Sequence, residues 1–337
     1  MQVQQNISLK KFNSFGIDVS AANFACFRNQ EELTSLLTET DNRKSLLVLG
    51  GGSNILFTRN VDGWVLKNEI TGISRIAEDE AYYYIKAGAG ENWHGFVLHC
   101  IENGYAGVEN LALIPGSVGA SPMQNIGAYG VEIKDVFHSL EAFHIGDKTM
   151  HQFSNADCGF GYRESVFKRA FKNQFIITSV TYRLRKNPVY NVSYGAITQE
   201  LEAMQVKELS IQDIAKAVMN IRRSKLPDPA QIGNAGSFFK NPEIDLAHFE
   251  KLKLEFPGIV GYPVNNNRIK LAAGWLIEQC GWKGYRKGDA GCHNKQALVL
   301  VNFGNADGAA IYELSEAILQ SVKNKFAVDL EREVNIY

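Results

Sequence analysis

Apolar positions recur along this chain with two periods, and the changes of period mark its elements. Trp93, Phe96, Val97, Cys100 and Ile101 fall on one helical face, and Gly104 stands where a C-cap glycine belongs. Ile211, Ile214, Ala215, Val218 and Ile221 repeat the pattern, as do Ile311, Leu314, Ile318, Leu319, Val322 and Phe326. Asn29 followed by Glu32 resembles a capping box opening a helix to about Leu37. Residues 269–280, stopped by Gly281, read as a further helix. Short apolar runs at 45–49, 64–67, 82–87, 137–145 and 175–185 predict strands, and 328–336 predicts a closing strand.

The first half is therefore strands with interspersed helices, and a domain boundary is expected near 188–200. Segment 111–130 is rich in Gly, Ser, Ala, Pro and Asn, and 225–236 is a loop with two prolines. Neither an internal repeat nor a low-complexity tract is present.

Composition narrows the function classes. A chain of 337 residues has room for two or three domains with their own cores. Its hydrophobic content of 45% and charged content of 21% are those of a globular enzyme. The net charge of −1 provides no general basic surface for nucleic acid or anionic lipid, so an anionic ligand must meet a local donor cluster. No apolar run approaches the ~18 residues of a membrane span. The start, 1–11, is polar and lacks a signal-peptide core, so a cytoplasmic protein is expected. Cys26, Cys100, Cys158, Cys280 and Cys292 are odd in number and scattered, which suggests neither disulfides nor zinc. His94 and His99 lack the i,i+4 spacing of a helical metal pair, so no metal is expected.

Several segments could carry chemistry. Gly50, Gly51, Gly52, Ser53 and Asn54 follow a predicted strand, and such a loop either turns the chain or cradles a diphosphate with its amides. It is not a Rossmann fingerprint, because Ile55 stands at the third glycine, and Gly88-Ala89-Gly90 fails at Trp93. Pro115, Gly116, Ser117, Val118, Gly119, Ala120, Ser121 and Pro122 run on to Gln124, Asn125, Ile126, Gly127, Ala128, Tyr129 and Gly130. Small residues over this length expose backbone to a long, flat ligand, while Ile114, Val118, Ile126 and Tyr129 supply anchors that a linker would not need. Arg163 lies between Tyr162 and Glu164 and could clamp a carboxylate or simply pair on the surface. Ser237 stands in Asn234-Ala235-Gly236-Ser237-Phe238-Phe239-Lys240-Asn241-Pro242, which is no serine-hydrolase elbow. Glu331-Arg332-Glu333 closes the chain, where a solvated edge is the plain reading.

In this order and over almost the whole length, these segments resemble the UDP-N-acetylenolpyruvoylglucosamine reductase family. The match runs through Asn13-Ser14-Phe15-Gly16-Ile17, Gly50–Asn54, Pro115–Gly130, Gly159–Ser165, Ser224–Asn241, Leu271–Gly281 and Glu331–Val334. The glycine-rich loop alone marks only the wider FAD modules of the vanillyl-alcohol oxidase (PCMH) type. Residues 190–194 resemble the tyrosine loop of the variant that has one.

The resemblance implies an α+β fold with FAD-binding subdomains at 1–70 and 71–190 and an α+β substrate-binding domain at 200–325. The last strand, 328–337, would return to the first subdomain. It implies an NADPH-dependent flavoprotein of peptidoglycan precursor synthesis that acts on a UDP-sugar enolpyruvyl ether; because the glycine-rich loop holds Ser53 and Asn54 rather than His or Cys, non-covalent FAD is expected, and so is a monomer. Ser237 would donate a proton, with Arg163 and Glu333 as catalytic partners. FAD would lie on Gly50, Gly51, Gly52, Ser53, Asn54, Pro115, Gly116, Ser117, Gly119, Ala120, Ser121, Gln124, Asn125, Gly127, Ala128 and Tyr129. Tyr194, Lys225, Asn241 and Gln296 would hold the substrate. The family commonly has a proline between the two tail glutamates, where this chain has Arg332, so the register of that tail matters. Two other readings are a different flavin oxidoreductase of the same module and a non-catalytic binder of UDP-sugars.

Overall fold

A computed structural model describes residues 2–39, 45–265 and 267–337. The chain divides into two compact units. The first takes the described residues within Met1–Ile7, Ala21–Gly51 and Val61–Ser224, and the second takes Ser8–Ser20, Gly52–Asn60 and Lys225–Tyr337.

The first unit holds two sheets. In one, the parallel strands Ser20–Phe27, Val61–Asn68 and Leu46–Leu49 lie side by side, with Gln4–Ser8 at the edge. Helix Gln30–Glu39 buries Leu33, Leu36 and Leu37 among Ala25, Phe27, Trp64 and Leu66. Asn29 caps it by accepting the Glu32 amide at 2.8 Å, but the Glu32 carboxylate reaches the Arg28 amide (2.7 Å), one residue short of a true box. The other sheet is antiparallel, in the order Met150–Ser154, Phe137–His144, Phe175–Arg185, Tyr82–Gly88 and Ile73–Glu78. Its middle strand Phe175–Arg185 is buried on both faces from Ile176 to Tyr182, including the polar Thr178, Ser179 and Thr181. Helix Trp93–Glu102 packs Trp93, Phe96, Val97 and Cys100 into this core, with Asn103 at the C-cap and Gly104 beyond it at φ +72°.

The boundary expected near 188–200 is not a break in packing. Helices Gly195–Ala203 and Ile211–Lys225 bury Ile197, Leu201, Ile211, Ile214 and Val218 in the first unit's core. Their apolar faces match that core, so residues 200–224 pack with the first unit rather than opening the next.

In the second unit, strands Gly233–Ser237, Val299–Asn302, Ala290–Cys292 and Arg286–Lys287 form one sheet. Glu243–Asp245, Arg268–Leu271 and Gly261–Asn265 form another. Two expectations are corrected. The helix expected over 269–280 is a strand, Arg268–Leu271, followed by a helix only from Ala273 to Gln279. Ile269 and Leu271 alternate inward on a strand paired on both sides, and a short apolar run does not distinguish that from a helical face. The closing strand shrinks to Asn335–Ile336, parallel to Ile55–Leu56. Before it the tail makes a single bridge, Phe239↔Arg332, because it changes partner along its length. The tail does return to the first seventy residues of the chain. No described helix is long and apolar enough to cross a membrane.

Candidate active site

The glycines of the first unit are placed by contact between backbones. A Cβ on Gly50 would lie 2.4 Å from Ser117 Oγ, and one on Gly51 would lie 2.6 Å from Gly116 Cα. Segment 50–51 therefore rests directly on segment 116–117, and no side chain fits between them. Lys67 fixes this end by donating to the Gly50 carbonyl at 2.8 Å, and burial lowers the Lys67 pKa. Gly119 meets Ala89 in the same way, at 2.5 Å from its Cβ.

Within the long small-residue segment the roles divide. Pro115, Ala120 and Met123 are exposed, while Gln124, Gly127, Ala128 and Tyr129 are half-buried. Ser121 and Asn125 are fully buried. Ser121 Oγ bonds the Val118 carbonyl and the Tyr182 hydroxyl, each at 2.7 Å. Asn125 donates to Glu132 and to the Gly161 carbonyl (3.0 Å each) and accepts the Lys134 amide. These two side chains hold the segment's shape. Arg163 joins the same network: Nη2 donates to the Gly127 carbonyl at 2.6 Å, and the guanidinium lies 5.3 Å from the centre of the Tyr162 ring. Its backbone is left-handed (φ +54°), an unusual conformation for an arginine that often marks a functional turn. Tyr194 is half-exposed ahead of helix Gly195–Ala203 and stands edge-on to Tyr129 at 5.3 Å. Burial raises the Tyr129 pKa. Arg222 donates to the Leu113 carbonyl at 3.1 Å, and burial lowers its pKa.

The second unit gathers the other half of the candidates. Gly52 has φ +63°, and a Cβ there would lie 1.9 Å from the Phe12 carbonyl oxygen. The Ser14 amide donates to the Gly52 carbonyl at 3.0 Å, while the buried Ser14 hydroxyl has no partner among the described residues. A left-handed glycine and an orphan hydroxyl suit the phosphates of a dinucleotide such as FAD. Ser14 was part of a motif in the sequence, but nothing there marked its hydroxyl as unpaired.

Glu333 is held from both sides. Its amide donates to the Phe238 carbonyl at 2.8 Å, and its carbonyl accepts from Asn54 Nδ2 at 3.3 Å. Asn335 binds the Asn54 carbonyl through its amide (3.1 Å) and its side chain (2.9 Å). The tail register is thereby fixed. Glu331 pairs with the buried Lys240 at 2.5 Å, and Arg332 stacks on Tyr312 and pairs with Glu316. Ser237 ends strand Gly233–Ser237, just beyond an irregularity between Asn234 and Ser237. Gly236 in that bulge has φ +69°, and nothing would meet its Cβ within 4 Å. The bulge re-aims the exposed Ser237 beside open space. A hydroxyl and a carboxyl on neighbouring backbone segments provide a proton donor and a polar group for a substrate. Asn241 and Gln296 converge on helix Ala273–Gln279: Asn241 accepts the Ala273 amide at 3.0 Å, and Gln296 Oε1 would lie 2.9 Å from a Cβ on Gly274. Lys225 is exposed at the end of its helix.

Residues 228–337 match the family model for the UDP-N-acetylenolpyruvoylglucosamine reductase C-terminal domain, and 21–154 match an FAD binding domain. A UDP-N-acetylenolpyruvoylglucosamine reductase of Amoebophilus asiaticus is 50% identical over 337 residues, covering 100% of this chain and 99% of the relative. The chain belongs to the UDP-N-acetylenolpyruvoylglucosamine reductase family. The relative of that name in Flavobacterium johnsoniae is 48% identical and covered completely. The crystal structure of UDP-N-acetylenolpyruvylglucosamine reductase from Thermus caldophilus shares the fold at TM-score 0.69 and 24% identity, covering 100% of this chain and 99% of that one. The chain is an FAD-dependent oxidoreductase of peptidoglycan precursor synthesis, with an α+β fold that includes an FAD-binding domain.

Proposed function

We propose that this family member uses NADPH and non-covalent FAD to reduce the enolpyruvyl ether of UDP-N-acetylglucosamine to UDP-N-acetylmuramate. The observation that carries the reading is the bulge that presents Ser237 on the strand whose continuation pairs with the Glu333 backbone. Segments 50–54 and 115–129 would hold the FAD, which would supply hydride drawn from NADPH for the terminal CH₂ carbon of the substrate. The protein's task is the charge that then appears on the adjacent carbon and its carboxylate. Arg163 balances that charge as a permanent cation. Glu333 orients its neighbours or donates a hydrogen bond, and Ser237 protonates the adjacent carbon. Serine is a weak acid, but the carbanion is a far stronger base, so the transfer runs downhill once the hydroxyl is aligned. Tyr194, Lys225, Asn241 and Gln296 hold the UDP-sugar, and the reductase works as a cytoplasmic monomer. Neither His nor Cys stands in the glycine-rich loop Gly50–Asn54 to tether a flavin.

The test is anaerobic absorbance of the purified yellow protein. NADPH should bleach it and the enolpyruvyl substrate should restore the colour, while acid precipitation should release all flavin to the supernatant. A protein that bleaches but recolours only with oxygen would belong to another flavin oxidoreductase class. A colourless protein would leave only the binder reading.

A further inference from the structure

The turn joining strands Phe137–His144 and Met150–Ser154 brings together three side chains that take no part in the proposed reaction. His144, Asp147 and His151 each offer a ligand atom, and these atoms all lie within 4.8 Å of one another. His144 Nδ1 is 2.9 Å from Asp147 Oδ1, and His151 Nε2 is 3.6 Å from Asp147 Oδ2. The sheet makes this convergence rigid. Ala142 pairs directly with His151, and His144 lies two residues further along, so both imidazoles project from one face as diagonal neighbours. Their ring centres are 5.6 Å apart, and Phe175 packs against both. The acid between them comes from the turn itself.

We propose that His144, Asp147 and His151 bind one divalent transition-metal ion of the zinc class, with water completing the coordination. Two imidazoles and one carboxylate are a donor set that zinc and its neighbours accept, with an open fourth position. Calcium and magnesium, which favour all-oxygen shells, do not fit it. Neighbouring ligands around a tetrahedral zinc with bonds of about 2.0 Å lie roughly 3.3 Å apart. Closing the present spacing takes side-chain rotation alone, since the Asp147 and His151 side chains are 50% and 41% exposed. The Thr149 hydroxyl, now 2.6 Å from Asp147 Oδ1 and 2.9 Å from His151 Nε2, would release one of those atoms to the metal and remain on the other. The nearby cation Lys148 donates to Thr38 on helix Gln30–Glu39. Met150–Ser154 is an edge strand, so a metal here would clip that edge to its neighbour.

The test uses the untagged full-length flavoprotein after chelator treatment and dialysis, titrated calorimetrically with Zn²⁺. One Zn²⁺ per chain is expected, weakened at least about tenfold in His144→Ala, Asp147→Ala and His151→Ala, because each removes a direct ligand. His138→Ala, on the same strand but outside the group, should bind as the parent does. Zn²⁺ should also raise the thermal midpoint of the parent and of His138→Ala but not of the other three. The exposed His151→Gln keeps the comparison valid if the Ala variants fail to fold. Zn²⁺ bound equally well by His151→Gln, or no binding by the parent, would overturn the proposal.

Discussion

The two units place their candidate residues by opposite means. In the first, the glycines at 50, 51 and 119 work by lacking a side chain, letting backbone meet backbone at distances where any Cβ would collide. In the second, Ser237 and Glu333 are placed by register: a bulge turns one strand, and a tail held by Asn54 and Phe238 fixes the other. A site built from absent side chains should fail by losing its shape and its ligand together. A site built from positioned side chains should lose one chemical step and keep everything else.

The sharpest way to break this contrast is Ser237→Ala. The variant should fold, bind flavin and bleach with NADPH, but its recolouring by substrate should slow by ~10²–10⁴-fold, the usual worth of a placed general acid. Stopped-flow absorbance separates the two half-reactions, and recolouring at the parental rate would remove Ser237 from the proton transfer. Gly51→Ala should do the reverse. Its new methyl meets the Gly116 backbone at 2.6 Å, so stability should fall by about 3 kcal/mol, the upper end for overpacking, and purified protein should carry less flavin. Normal flavin content and an unshifted thermal midpoint would show that the two segments can part without cost.

Tyr194 tests whether a side chain in the first unit can act in the second manner. Tyr194→Ala should raise the KM for the UDP substrate by roughly 30-fold, about 2 kcal/mol for a lost aromatic anchor, and leave flavin reduction by NADPH near normal. Slowed flavin reduction with an unchanged KM would assign Tyr194 to the cofactor instead.

The smallest expected effect is electrostatic. His94 Nδ1 accepts the Leu113 amide at 3.0 Å, and burial, with Arg223 and Arg222 nearby, lowers its pKa below the ordinary 6.5. As pH falls through about 6.5, the unfolded chain takes up a proton that the folded chain resists, so stability is lost on the acid side and unaffected above. Thermal midpoints between pH 7 and 5 should therefore fall less steeply in His94→Gln than in the parent. Identical slopes would assign the acid sensitivity to other groups.

Much of this was legible in the residues. Helices Trp93–Glu102, Ile211–Lys225 and Gly308–Phe326 follow from their apolar faces, and Phe175–Arg185 follows from its run of β-branched and aromatic residues. The order of the motifs carried the family, which the relatives confirm at 50% identity. Where local pattern was ambiguous, long-range pairing decided. Arg268–Leu271 became a strand because Glu243–Asp245 and Gly261–Asn265 flank it, and 328–334 lost its ladder because its partners lie far apart in sequence. The cluster of His144, Asp147 and His151 was invisible for the same reason. Sequence spacing tested histidines on helices, whereas these meet across a hairpin register. The sequence by itself determined which segments are apolar-faced, which are stripped of side chains, and which family they spell. Tertiary structure alone decided that Glu331 pairs with Lys240, which loop hydroxyl finds no partner among the described residues and where backbone touches backbone. Those outcomes depend on contacts between residues up to hundreds of positions apart, which no local period encodes.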